Sequence, residues 1–155
     1  MIKFLPNIYP DEIVYSYLSR CYAASGYIWN YGFSREVLEN TTAPLDSCFL
    51  NVFSKEFKEL LEEKIGFEEL ILNHTLFKYY TRFLQLEKRR EVLQKAVSNQ
   101  LFLVHDLPIS RNLNTNVLRY CPECVKEDRL RYGESYIHII HTIPHICICL
   151  VLASN

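Results

Sequence analysis

The chain has 155 residues and carries 17 Lys and Arg against 18 Asp and Glu, for a formal net charge of −1. With 49% apolar, 14% aromatic and 23% charged residues it can bury a core, which excludes intrinsic disorder as its main state. Eleven Tyr and nine Phe against four Gly, in long helical-period runs, exclude a strand-rich sandwich and leave little material for a phosphate-cradling glycine loop.

Pro10-Asp11-Glu12 opens the first helix, with acidic side chains suited to the positive end of its dipole. Ile13, Tyr17, Leu18 and Cys21 recur at helical spacing, and Gly26 ends the run. Cys21 lies on the apolar face and reads as a packed core thiol. Ser34 is the expected N-cap of a short helix that turns Val37 and Leu38 inward. Cys48 stands apart from other metal-binding types and also reads as structural. Ser54 caps a further helix with Phe57, Leu60 and Leu61 as its stripe, and Gly66 stops it.

The strongest helical stretch follows, "GFEELILNHTLFKYYTRFLQLEKRREVLQKAVSN", and it is predicted to break at Asn73-His74-Thr75 and again around Leu86. Leu76, Phe77, Tyr80, Phe83 and Leu84 form one wide apolar face. Glu87 and Glu91 with Lys88, Arg89, Arg90 and Lys95 form a charged outer face, read as solvated rather than phosphate-binding. "FLVHDLPISRNLNTNVLRY" then loses the helical period and serves as a linker.

Of the six cysteines, four fall within the last 35 residues. In a reducing compartment that crowding points to metal rather than to disulfides. Cys121-Pro122-Glu123-Cys124 is a knuckle, followed by a short helix and turn. "IHIIHTIPHICICL" then alternates like a strand on either side of Pro144. A Cys-x-x-Cys pair with further Cys and His donors 20–25 residues on is the spacing of small structural zinc sites. The donors beyond the knuckle are His138, His141, His145, Cys147 and Cys149. In a strand Cys147 and Cys149 would project to one face, and His145 shares their parity.

Catalytic patterns are missing. There is no His-Glu-x-x-His, no deaminase-type His-x-Glu ahead of the knuckle, and no βαβ context for a redox Cys-x-x-Cys pair. The chain therefore reads as non-enzymatic. Charge is unevenly spread: residues 1–72 hold 6 basic and 11 acidic side chains, residues 73–155 hold 11 and 7. The basic half contains the knuckle, and Arg129 and Arg131 beside it are the candidate nucleic-acid contacts. The opening "MIKFLPNIYPDE" lacks the apolar core of a signal peptide, and no run is long enough to span a bilayer, so a cytoplasmic location is expected.

Three stretches resemble the TnsD/TniQ family of transposon target-selection proteins, in its TnsD-like branch. "FLPNIYPDEIVYSYLSRCYAASG" resembles the family's opening block with its Glu, Tyr-Ser and Arg positions. "LILNHTLFKYYTRFLQLEKRREVL" is similar to its long helical segment, and "RYCPECVKEDRLRYGESYIHIIHTIPHICIC" to its zinc-finger block. The resemblance implies a Cys-Cys-Cys-His zinc site, matched here by Cys121, Cys124 and Cys149. The position of its His is Leu152 in this chain, so either Cys147 or His145 substitutes as the fourth ligand, or three protein groups bind the ion together with another group, or the site is degenerate.

The fold expected is mainly α. A helical N-terminal region over 1–115 leads to a zinc-finger-like region over 116–155, built from a knuckle and a short β-hairpin and cut short at its end. The resemblance also implies a non-enzymatic adaptor in bacterial DNA transposition. Such an adaptor recruits an AAA+ regulator of the TnsC kind to a target recognised, as DNA or through an RNA-guided complex, by regions beyond this chain. The alternative is a zinc-finger module that itself binds DNA sequence-specifically. The apolar tail "ICICLVL" as an open strand edge invites self-association.

Overall fold

A computed structural model of the chain describes residues 2, 4–40, 52–98, 118–144, 146, 148 and 149. Cys48, His145, Cys147, Leu152 and most of the expected linker lie outside the described residues.

Helix α1 (Val14–Ser25) starts after a tight turn in which Asp11 takes φ 57° and the Glu12 amide donates to the Tyr9 carbonyl at 3.2 Å. Val14, Tyr17, Leu18 and Cys21 are buried along it, and Gly26 at φ 76° ends it as the sequence indicates. Helix α2 (Asn30–Val37) begins four residues ahead of Ser34, which lies inside it. The stronger demand comes from Phe33 and Val37, both buried and four apart, which share a face only if the helical turn precedes Ser34. Gly32 admits the Tyr27 ring: a Cβ there would lie 3.0 Å from Tyr27 Cδ1. Leu38 leaves the helix in extended form and bridges Phe53 in antiparallel fashion.

Ser54 caps α3 (Lys55–Lys64) as expected, its hydroxyl accepting from the Phe57 amide at 3.3 Å. Gly66, at φ 90°, makes the corner into α4 (Phe67–His74). Thr75 closes α4, donating to the Ile71 carbonyl at 2.6 Å and accepting from the Phe77 amide at 3.1 Å. That breaks the long run where polar types were expected to break it. A single turn, α5 (Phe77–Tyr80), is followed by α6 (Leu86–Val97).

Leu76, Phe77 and Tyr80 are buried, but Phe83 is 91% exposed, contrary to its place on the expected apolar face. Helix α5 ends before it, so the helical period that would have turned Phe83 inward no longer applies. Tyr17, Phe53, Phe57, Leu61, Phe67, Leu70 and Val92 belong to one continuous core in which α3 and α4, α4 and α5, and α4 and α6 are in contact. Among the described residues no helix is long and apolar enough to cross a membrane.

The C-terminal region holds α7 (Pro122–Tyr132) and the single turn α8 (Ile139–Thr142). The expected β-hairpin is not found among the described residues, where the only strand-like pairings are the isolated bridges Glu12–His138 and Leu38–Phe53. The alternating segment after Ser135 finds its partner at the other end of the chain. The Ile13 amide donates to the Ile137 carbonyl at 2.9 Å, and the Ile139 amide donates to the Asp11 carbonyl at 2.7 Å. Once those bonds are made, the chain turns into α8 instead of continuing extended.

The two ends are further interlocked by side chains. Glu12 is fully buried and accepts from the Tyr9 amide (3.0 Å), the Ser16 hydroxyl (3.1 Å) and Arg20 Nη1 (2.8 Å). Arg20 reaches Glu134 through Nε at 3.0 Å and stacks its guanidinium 3.9 Å from the Tyr9 ring centroid. The Tyr9 ring in turn meets Tyr132 and Tyr136 at centroid distances of 4.5 and 4.9 Å. Burial raises the Glu12 carboxyl above its ordinary range, partly offset by the Tyr9 amide and the Arg20 charge.

Candidate metal centre

Pro122 sits at the first position of α7, where its missing N–H costs nothing, and Glu123 lies in the first turn at the positive end of the dipole. Cys121, in extended conformation just ahead of Pro122, and Cys124, one turn on, therefore share a face. Amides of Cys124 and Glu123 at the helix start lower the Cys121 thiol below its ordinary value. Burial pushes Cys124 up to about 12, and the neighbouring Cys149 and Cys121 add to the rise.

Cys149 returns to this helix start after the turn at Pro144. The three sulfurs lie within 4.8 Å of one another, and Cys124 and Cys149 are 3.5 Å apart. Two sulfurs on one tetrahedral zinc are separated by about 3.8 Å, given Zn–S bonds of about 2.3 Å. The donor set thus suits a thiophilic cation: three thiols at one point cannot all ionise unless a positive charge offsets them. Three close cysteines can hold a metal ion here.

Cys121, Cys124 and Cys149, expected from the sequence, lie together, whereas the other expected donors do not all join them. Cys147 and His145, the expected fourth ligands, lie outside the described residues. His138 is committed elsewhere, its Nε2 lying 3.0 Å from Asp128 Oδ2 and its Nδ1 3.7 Å from Asp11 Oδ2. Asp128, one turn beyond Cys124 on α7, is itself buried. Arg129 and Arg131 are exposed in the last turn of α7.

His141 is the residue that strand reasoning passed over. Its Nε2 lies 3.4 Å from Cys149 Sγ and 3.8 Å from Cys124 Sγ. In a continuous strand the eight steps from His141 to Cys149 would span about 26 Å. The pairing with Asp11–Ile13 makes the segment coil at α8, and that brings the ring back to the sulfurs. The one signal available was the His-x-x-His spacing of His138 and His141, which fits a helical turn as readily as a strand.

A family model described as TniQ matches residues 3–151. The chain is also 28% identical, over 155 aligned residues, to the Transposon Tn7 transposition protein TnsD of Escherichia coli. That alignment covers 96% of this chain and 30% of the length of the relative.

Proposed function

The chain belongs to the TniQ family, and on that footing we propose that it is the N-terminal part of a target selector in bacterial DNA transposition. It acts as a non-enzymatic adaptor, presenting surfaces to an AAA+ regulator of the TnsC kind while regions beyond this chain engage the target, as DNA or through an RNA-guided complex. It works in the cytoplasm, at the nucleoid. The observation that carries this reading is the family match over residues 3–151.

Cys121, Cys124 and Cys149 would hold a structural zinc ion. A bound zinc supplies a cross-link between the start of α7 and the segment after Pro144, and no chemistry on a substrate. Further contacts tie the region to α1: Glu12, Ser16, Arg20, Glu134 and the Tyr9–Tyr132–Tyr136 rings. These side chains come from the opening and closing blocks that carry the family resemblance, which gives those blocks a shared structural reason. In this reading the helical region (1–115) and the zinc-finger-like region (116–155) act as one presenting surface.

Affinity capture tests it: the full-length protein that contains this chain should retain its cognate AAA+ regulator in an ATP-dependent manner. A folded full-length protein that fails to bind that regulator would overturn the adaptor reading. The second reading, direct DNA contact by this chain, has in its favour that Arg129 and Arg131 are exposed at one end of α7. Gel shifts at rising salt test it, because phosphate contacts give a steep salt dependence. Arg129→Ala with Arg131→Ala should then reduce both affinity and salt slope.

A further inference from the structure

We propose that His141 is the fourth ligand of the metal site in this chain, in the role that the family pattern assigns to the position occupied here by Leu152. The inference rests on the metal reading given above and concerns which residue completes it.

The ring is placed by distance. Nitrogen and sulfur on one tetrahedral zinc are about 3.5 Å apart, given Zn–N near 2.0–2.1 Å and Zn–S near 2.3 Å. His141 Nε2 meets Cys149 and Cys124 at 3.4 and 3.8 Å, and those two sulfurs are 3.5 Å apart. These three separations are the edges of one tetrahedral face. The Cys121 sulfur lies within 4.8 Å of those two sulfurs but not of the His141 ring, so a small shift of the ring or of Cys121 brings all four donors onto one ion.

Apart from a tilted contact with the His138 ring at 5.2 Å, no hydrogen bond to oxygen among the described residues accounts for the ring's place. His141 is 8% exposed, and its Nδ1 is buried with no hydrogen-bond partner among the described residues. A buried imidazole ordinarily hydrogen-bonds oxygen, as His74 does with the Glu12 carbonyl and His138 with Asp128. The polar atoms beside His141 Nε2 are the sulfurs of Cys124 and Cys149. Backbone contacts hold the turn that presents it: the Ile139 amide binds the Asp11 carbonyl, and the Thr142 hydroxyl binds the Ile139 carbonyl at 2.7 Å.

Charge favours a neutral fourth donor. Three thiolates and an imidazole leave the zinc site with one net negative charge; a fourth thiolate would leave two, one helical turn from the buried Asp128 carboxylate.

Zinc affinity by chelator competition, together with the cobalt(II) absorption spectrum, tests the assignment on the 155-residue chain and four variants. Cys147→Ser and His145→Ala should bind zinc within about twofold of the parent. His141→Ala should lose about 100-fold or more, beyond the 10–100-fold typical of groups that only support a ligand. His141→Cys should bind cobalt, with the sulfur-to-metal charge-transfer intensity rising in proportion to a fourth thiolate; a merely structural ring would leave that intensity unchanged. This variant also decides the matter if His141→Ala does not fold. Parent-like affinity in His141→Ala, or zinc release in Cys147→Ser, overturns the assignment while the metal reading stands. A parent chain that binds neither zinc nor cobalt overturns both.

Discussion

Arg20 on α1 grips Glu134, 114 positions further on, through Nε at 3.0 Å and Nη2 at 2.9 Å. Its remaining nitrogen, Nη1, holds the buried Glu12 carboxylate at 2.8 Å. One guanidinium therefore joins the first helix to the metal-site region and neutralises a charge in the interior. Arg20→Ala should destabilise the chain by roughly 3–5 kcal/mol, because it strands the Glu12 carboxylate. Glu134 is half exposed, and Glu134→Ala should cost under about 1 kcal/mol. Urea midpoints of the two variants check this. Equal losses would mean that the Glu12 pairing is not what makes Arg20 structural.

Two histidines give the stability a pH signature of opposite signs. Burial pulls His138 down, but hydrogen bonds to Asp11 and Asp128 and their charges outweigh it, so the net shift from 6.5 is upward. Its stabilising contribution is fully present below that ordinary value and is lost as pH rises through the raised one. His74 runs the other way. Burial lowers it, and the neutral ring donates from Nδ1 to the Glu12 carbonyl at 2.7 Å. Its contribution is present above 6.5 and is lost as pH falls through the lowered value. Thermal melts between about pH 5 and 8, taken as differences between variant and parent, should show the destabilisation of His138→Gln shrinking as pH rises. For His74→Gln it should shrink as pH falls. The same trend in both variants would contradict the assignment.

Thiol reactivity should rank the described cysteines sharply. Cys21 has no exposure, and burial pushes its thiol up to about 12, so little thiolate exists to react. Cys121 is partly exposed and lowered by the amides at the start of α7. In the presence of a chelator, alkylation followed by peptide mapping should mark Cys121 first and Cys21 only on global unfolding. Labelling of Cys21 at a comparable rate would mean that the α1 core opens independently of the rest.

Gly133 ends α7 at φ 82°, where an added Cβ would meet nothing within 4 Å. A Gly133→Ala variant thus pays no steric contact and only the backbone cost of the left-handed region, about 1 kcal/mol. Since Gly133 aims Glu134 at Arg20, the thermal shift should be smaller in an Arg20→Ala background. A loss well above that figure would point to a packing role that the structure does not contain.

What could be read from sequence was whatever local chemistry decides. Ser54 as a cap, Gly26 and Gly66 as stops, the break at Thr75 and the pairing of Cys121 with Cys124 all follow from side chains within a turn, whereas Cys149 was singled out among five donors by the family resemblance. What escaped was set by distant partners. The segment 137–142 alternates like a strand, yet its pairing partner is Asp11–Ile13, so it makes one bridge and then coils. His141, one of five donors in the sequence, is set apart from the others only by that coil. Phe83 was misplaced because a helical period was carried past Tyr80, where the helix stops.

The most direct measurement is zinc content per chain, by elemental analysis of protein purified without chelator. One zinc per chain is expected, falling close to zero in Cys121→Ser and unchanged in a variant of the core thiol, Cys21→Ser, that remains folded. A folded, metal-free parent chain with Cys121, Cys124 and Cys149 all freely titratable would contradict the metal centre.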